Sequence, residues 1–191
     1  MNIIKKNWAH FFCAVLGLFN FILLAIPYVA AFMKTEGWLE MSVSEGISGY
    51  KVMDMWDGGF SGVMSSLIQI FILILGIALL VWGVLGLLKA KGICKVLPDK
   101  IGNFENKKIS EMGLLAMAVL NFLLFIFLII VTAVNTEKYA GGSTGIKLSA
   151  GIFLAIIFWT AAYVGAKLLD KKSASAVEEA QEEAKEENSE E

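Results

Sequence analysis

The sequence predicts an all-α membrane protein, a bundle of four transmembrane helices with a small extracellular β-hairpin in its first external loop. Three observations predict this fold class. The 191-residue chain is 57% hydrophobic and only 18% charged, whereas a soluble domain is usually about a quarter charged. Four long apolar segments alternate with polar connectors. The connector from Lys89 to Lys108 is rich in lysine, which places it on the cytoplasmic side and fixes the orientation of the chain.

The first predicted span covers residues 8–33 and follows the pair Lys5 and Lys6. An apolar run of this length is sufficient to cross a hydrocarbon core of about 30 Å. A cleaved signal peptide is the alternative, but the apolar region of such a peptide is only about 7–15 residues long. Pro27 is expected to bend the outer part of this helix, because proline removes one amide donor.

The first external loop, residues 34–62, is expected to contain the hairpin. Alternation of apolar and polar residues around Leu39, Met41 and Val43 predicts one strand, and the segment from Tyr50 to Met55 predicts a second. An irregular loop is the alternative. The glycine-rich segment from Trp56 to Gly62 then leads the chain back into the bilayer.

The remaining spans complete a transmembrane domain over residues 1–172. Twelve of the lysines fall on the inner side of this arrangement, and both termini are therefore expected in the cytoplasm. The acidic segment 173–191 is interpreted as a solubilising tail or a docking segment with high helix propensity. The predicted later elements are spans at 63–89, 112–134 and 147–169 and a cytoplasmic loop at 90–110.

Uncharged polar residues within the spans are the candidate interior contacts, three of them near mid-depth and Gln69 in the outer half of the second span. They are Asn20, Gln69, Asn121 and Thr160. They either form a polar pore or ligand site or make interhelical hydrogen bonds that fix packing. Trp159, close to the last of them, is interpreted as a lipid-facing or core-filling side chain.

Small residues in the second and fourth spans predict surfaces where neighbouring helices approach closely. In the second span they are Gly76, Ala78, Gly83 and Gly86. In the fourth span they form the spacings Gly151-x-x-x-Ala155, Ala161-x-x-x-Gly165 and Ala162-x-x-x-Ala166. Packing within the chain and dimerisation both explain the fourth-span pattern.

The residue inventory argues against several classes of function. Cys13, Cys94 and His10 form neither a disulfide framework nor a metal-ligand spacing. We expect no catalytic set, no cofactor and no metal. Nucleic-acid binding is not expected because the chain has no arginine. The lack of aspartate, glutamate, lysine and arginine between the span ends disfavours an ion-coupled transporter.

The first external loop is therefore the region expected to recognise a partner. Trp38, Tyr50 and Trp56 are the candidate contact residues, since aromatic residues dominate interface energetics. The expected partners are the lipid bilayer and either a second copy of the chain or another membrane protein. The predicted function is an accessory, sensing or interaction subunit of the cell membrane, and a small oligomeric pore is the alternative.

The predicted layout resembles the claudin-type tetraspan arrangement, with a larger first external loop, a short second one and strands at 38–43 and 50–55. The likeness is one of layout, because this loop lacks the Gly-Leu-Trp and cysteine pair of claudins. The chain is also similar to small four-span proteins of low-GC Gram-positive bacteria, in which a segment such as Ser48-Gly49-Tyr50 precedes a glycine-rich entry into span two. This resemblance implies a fold and a location but no activity.

Overall fold

The structure, a computed structural model, describes residues 8–35, 42–57, 59–93, 105–139 and 142–187. Within these residues the chain is mostly helical and has one small antiparallel sheet. The helices are α1 Trp8–Ala25, α2 Gly49–Val52, α3 Gly59–Ala90, α4 Glu105–Val134 and α5 Ala150–Glu187, with a 3-10 turn at Met55–Asp57.

Three helices are long and apolar enough to cross a membrane. The candidate spans are Gly59–Lys89 in α3, Lys108–Val134 in α4 and Ala150–Leu168 in α5. The corresponding apolar helix in α1, Ala9–Ala25, is shorter. These lengths and compositions indicate a membrane protein with several spans.

Helix α1 ends earlier than the sequence predicts. The predicted span of residues 8–33 is helical only to Ala25, and Pro27–Thr35 forms strand β1. Proline disfavours helical conformation in the residue before it and cannot donate a helical hydrogen bond itself. Ile26 therefore leaves the helix, and the apolar residues after Pro27 pair as a strand instead of bending as a helix.

Strand β1 lies in the middle of a four-stranded sheet. The other strands are β2 Ser42–Ser48, β3 Glu137–Tyr139 and β4 Gly142–Leu148, and the order is β2-β1-β4-β3. Every pair is antiparallel. Segments that are far apart in the sequence thus meet at one end of the helices.

The predicted hairpin is displaced along the chain. Its first strand, 38–43, overlaps β2 only at residues 42–43 and otherwise lies outside the described residues. Its second strand, 50–55, is wrong, since this segment contains most of α2 and the start of the 3-10 turn. The segment 142–148, assigned to the second external turn and the start of span four, is β4, and α5 begins at Ala150.

The core lies between helices that are neighbours in the sequence. Helix α1 packs against α3, α3 against α4, and α4 against α5. The buried positions of α4 recur at intervals of three and four residues, the spacing that places side chains on one helical face. They are Ser110, Leu114, Met117, Asn121, Leu124, Leu128 and Val131.

Glycines allow α1 and α3 to approach closely. A Cβ atom added to Gly17 would lie 2.6 Å from the backbone nitrogen of Leu80. On the other side of the contact, Gly76 faces Asn20 and Gly83 faces Ala14. The predicted small surface of the second span is therefore confirmed at its glycines, whereas Ala78 is exposed.

The small residues of α5 divide between two faces. Ala155, Ala162 and Ala166 are buried in the core. Ala161 is exposed, and a Cβ atom added to Gly165 would have nothing within 4 Å among the described residues. Packing within the chain thus accounts for the small residues on the buried face of α5, but not for Ala161 and Gly165.

The acidic segment continues α5 instead of forming a separate element. The helix persists to Glu187. Alanine and glutamate have high helix propensity, so a helix already formed in the span propagates into this segment.

We expect the substitution Gly17→Ala to lower the free energy of unfolding by about 1–3 kcal/mol, because the added methyl group would meet the backbone of α3. Gly165→Ala is the matched control. It should be neutral or raise stability by about 0.5–1 kcal/mol through helix propensity. The measurement is reversible unfolding in SDS-containing mixed micelles, followed by circular dichroism. Equal effects of the two substitutions would contradict the close α1–α3 contact.

Candidate functional site

Three of the four uncharged polar residues predicted to make interior contacts lie in the interior. Asn20, Gln69 and Asn121 are buried on α1, α3 and α4, respectively. Thr160 is exposed, so the prediction that it shares this interior is wrong. The reason is helical phase, since one residue turns the side chain by about 100°. The next residue along α5 toward its N-terminus occupies the buried face instead.

That residue is Trp159, whose side chain is fully buried. Its indole Nε1 has no hydrogen-bond partner among the described residues. Of the two roles that the sequence left open for Trp159, the structure assigns the core. The signal that distinguishes them is spacing, because Ile152, Ala155, Trp159 and Ala162 recur at intervals of three and four residues and are all buried.

Asn20 links α1 to α3. Its amide Nδ2 donates a hydrogen bond of 3.4 Å to the backbone carbonyl of Ile72. The close contact with Gly76 leaves no room for a side chain at that position. Asn20 Oδ1 is buried and has no partner among the described residues. One end of this amide therefore fixes the helix pair, and the other end is an unused acceptor.

Asn121 and Gln69 also carry unused polar atoms. Asn121 Nδ2 donates to the carbonyl of Met117 on its own helix at 2.9 Å. Asn121 Oδ1 and both polar atoms of the Gln69 amide are buried without partners in the described structure. An unpaired buried polar group costs about 1–3 kcal/mol, so several of them in one core call for an explanation.

Contacts of α3 with α4 and with α1 place Asn20, Gln69 and Asn121 at a similar depth along the helix bundle. Gly113 on α4 meets Leu79 on α3, and the helices run antiparallel. Asn121 and Phe71 are equally far from this contact, which places Asn121 between Gln69 and Ile72. Asn20 is held at Ile72 and Gly76.

Two contacts between α4 and α5 place Trp159 at the same depth. The ion pair of Glu111 with Lys167 and the ring contact of Phe125 with Phe153 bracket the segment that contains Asn121 and Trp159. Counting from either contact brings the two residues within about one helical turn of each other. We call Asn20, Gln69, Asn121 and Trp159 the polar core cluster; each comes from a different helix.

A second group of polar side chains lies nearer the start of α1. His10 is buried, and its ring centroid is 5.8 Å from that of Trp82. Trp82 Nε1 donates to Ser110 Oγ at 3.3 Å. Cys13 is fully buried and hydrogen-bonds to the same serine. Among the described residues, no three histidine, cysteine, aspartate or glutamate side chains are grouped so as to hold a metal ion.

An ion pair joins the start of α4 to the C-terminal end of the apolar part of α5. Lys167 Nζ lies 2.7 Å from Glu111 Oε2, and the Glu111 side chain is only 13% exposed. A partly buried carboxylate beside an apolar span needs such a counter-charge. This pair fixes the register of the two helices and does not belong to the polar core cluster.

The predicted partner-contact residues have different environments. Trp38 lies outside the described residues. Tyr50 is held by the protein itself, since its hydroxyl donates to the carbonyl of Phe21 at 3.3 Å. Trp56 lies in the 3-10 turn and is exposed. Of the two that the structure describes, only Trp56 is without an observed tether to α1.

The base of the sheet is anchored to the helices. Ser149 donates its amide to the carbonyl of Tyr28 at 2.9 Å, and Gly49 donates to Ile26 at 3.3 Å. The Tyr28 side chain is buried, and burial raises the pKa of its hydroxyl, which therefore stays neutral. These contacts anchor the base of the sheet to the helices.

The distal half of the sheet exposes an apolar pair that the sequence did not single out. Met33 on β1 and Val43 on β2 are register partners and lie on the same face. They are 53% and 61% exposed, respectively. Nearer the helices, Val29 on this face is buried and Ile47 packs against the core. We call Met33 and Val43 the exposed apolar pair.

Comparison with known proteins gives no relative: no family model, no curated protein and no solved structure matches the chain. The polar core cluster and the sheet are the two features of the described structure that point to a function.

We expect Asn20→Leu to lower the free energy of unfolding by about 0.5–1.5 kcal/mol, since it removes the hydrogen bond between α1 and α3. Thr160→Val is the matched control, because Thr160 is exposed, and it should change stability by no more than about 0.5 kcal/mol. Both are measured by SDS unfolding of the purified chain. Wild-type stability of Asn20→Leu would show that this amide does not hold the helix pair.

Proposed function

We propose that this chain is a non-enzymatic accessory or interaction protein of the cell membrane that recognises another membrane or envelope protein through its extracellular sheet. Helices α1, α3, α4 and α5 each cross the bilayer once in this proposal, and both termini are cytoplasmic. The observation that carries the recognition function is the exposed apolar pair, Met33 and Val43, on a sheet whose base is anchored.

The packing of α1 supports its role as a fourth span. Its contacts with α3 run from His10 at Gly86 to Asn20 at Gly76. Because α3 is a candidate span, α1 lies at the same depth over this length. At 1.5 Å per residue its 18 residues extend about 27 Å, close to the roughly 30 Å of a hydrocarbon core.

The distribution of charge and strands supports the orientation. The sheet lies at the end of the bundle where α1 ends and α5 begins. Lys89 and Lys167 lie near the opposite end, where the lysine-rich connector also joins α3 to α4. Connectors rich in lysine remain in the cytoplasm, so the sheet is assigned to the outside.

The native cysteines test this topology. A membrane-impermeant maleimide should label Cys94 only after the cells are opened, since the proposal places the connector inside. Cys13 is buried and should remain unlabelled in the folded protein. Cys94→Ser is the control that assigns the signal. Labelling of Cys94 in intact cells would contradict the orientation.

Strand β2 provides a second feature of an interaction surface. It stands at the edge of the sheet order, and within the described residues no strand pairs with its outer side. An edge strand presents backbone donors and acceptors to which an extended segment can add. Glu45, its single charged residue, makes a long, exposed ion pair of 3.9 Å with Lys51, which opposes such pairing only weakly.

The partner is expected to be a protein segment rather than a small solute. The exposed apolar pair lies on β1 and on the edge strand β2, so an added strand would cover backbone and side chains together. Recognition of this kind needs an apolar side chain opposite Met33 and Val43. A second copy of the chain meets this requirement as well as another membrane protein does.

In-cell photocrosslinking tests the proposal. A photoreactive residue in place of Val43 should yield a discrete protein adduct, because this side chain is exposed on the apolar face. The same residue in place of Ser44 is the matched control, since Ser44 is an exposed neighbour on the opposite face of the strand. Crosslinks from position 43 only to this chain's own helices, or equal adducts from both positions, would overturn the proposal.

A small oligomeric pore is less well supported. The polar core cluster is the feature that favours it, but the same face of α4 is apolar on both sides of Asn121. Met117 and Leu124 are fully buried there. A conducting path through this core would have to pass them.

A further inference from the structure

We infer that the polar core cluster is a binding site for a small neutral molecule that both donates and accepts hydrogen bonds, with water or a hydroxyl-bearing solute as the chemical class. The inference concerns the interior of the bundle and is independent of recognition by the sheet. It rests on Asn20, Gln69, Asn121 and Trp159, each buried and each with at least one unpaired polar atom among the described residues.

The orientation of the two asparagine amides is fixed by their existing hydrogen bonds. Asn20 Nδ2 donates to Ile72 O, and Asn121 Nδ2 donates to Met117 O. A carbonyl oxygen can only accept, so turning either amide over would bring two oxygens together. Asn20 Oδ1 and Asn121 Oδ1 can therefore act only as acceptors, and neither has a donor among the described residues.

Trp159 needs a hydrogen-bond acceptor, whereas the two asparagine oxygens need donors. Its indole N–H can only donate, and it has no partner among the described residues. Gln69 can donate or accept, since neither its oxygen nor its NH2 group has a partner in the described part of the chain. A ligand that satisfies this set must give hydrogens to the asparagine oxygens and accept one from the indole. A water molecule or an alcohol group does both.

Charged ligands fit this set poorly. A cation would suit the amide oxygens but would be repelled by the indole N–H, and an anion would suit the N–H but not the oxygens. The candidate spans carry lysine and glutamate only toward their ends, for example at Lys108, Glu111 and Lys167, so these spans place no counter-charge at the depth of Asn121. A neutral ligand avoids the large desolvation cost of an uncompensated charge.

Apolar side chains enclose the site along the bundle. Met117 and Leu124 flank Asn121 on the buried face of α4, and Ala155 and Ala162 flank Trp159 on α5. The ligand is therefore held at mid-depth and bridges helices, in contrast to passing through a pore. Such bridging satisfies polar groups that the four helices cannot pair directly.

The test uses nuclear magnetic resonance on the full chain in lipid nanodiscs, with 15N-labelled tryptophan. The chain has five tryptophans, and Trp159→Phe assigns the relevant indole signal. A rotating-frame cross-peak between the Trp159 indole proton and water is expected, with the sign of a dipolar contact rather than of chemical exchange. Absence of this cross-peak in the wild-type protein, with and without glycerol, would overturn the inference.

Variants make the test specific. Asn121→Leu and Gln69→Leu should each weaken or abolish the cross-peak, because they remove polar partners of the ligand. Thr160→Val, exposed on the same helix as Trp159, should leave it unchanged. Persistence of the cross-peak in both leucine variants would contradict the site, and the two variants together guard against the failure of one to fold.

Added solutes identify the ligand within its class. If glycerol replaces the water cross-peak with contacts to its own protons, the site takes a hydroxyl-bearing solute; if the water cross-peak persists, the ligand is water. Either result supports the inference. Saturable loss of the cross-peak on titration with K⁺ or Na⁺ would contradict it, since the site would then bind a cation.

Discussion

The end of the molecule that contains the sheet depends on the pairing of β1 along both of its edges. Pro27 ends the helical hydrogen bonding of α1, and the backbone groups that follow need other partners. Strand β2 supplies them on one side and β4 on the other. The central strand thereby holds the start of α5 beside the end of α1, and Ser149 and Gly151 both contact the Pro27–Tyr28 corner.

This constraint also explains the two different surfaces of the sheet. Near the helices, Tyr28 and Val29 are buried, so the base of the sheet completes the core. Farther along the strands, Met33 and Val43 are exposed and have no covering layer among the described residues. In the proposed interaction, burial of this apolar pair contributes binding energy, and the anchored base limits the ordering cost of binding.

The interior of the bundle depends on close helix packing, whereas the sheet depends on strand pairing. Glycine contacts bring α1 and α3 so close that Asn20 reaches a backbone carbonyl on α3. Tight packing between helices is an effective source of stability in a bilayer, where the hydrophobic effect does not drive helices together. The same core contains amide and indole groups that do not pair with each other, which is the physical basis for the ligand site inferred above.

The sequence by itself determined the apolar helices, the glycine face of α3 and three members of the polar core cluster, because hydropathy, small-residue spacing and side-chain type are local properties. It did not determine the end of α1 or the sheet. The segment after Pro27 is as apolar as a transmembrane helix. It is a strand because it pairs with β4, where Thr144, 112 residues away in the chain, donates to Phe32 O. Tertiary structure likewise decided that Trp159 is buried in the core and Thr160 is exposed, since these adjacent residues differ only in helical phase. Non-local pairing and phase relative to a packed neighbour are properties of the assembled chain.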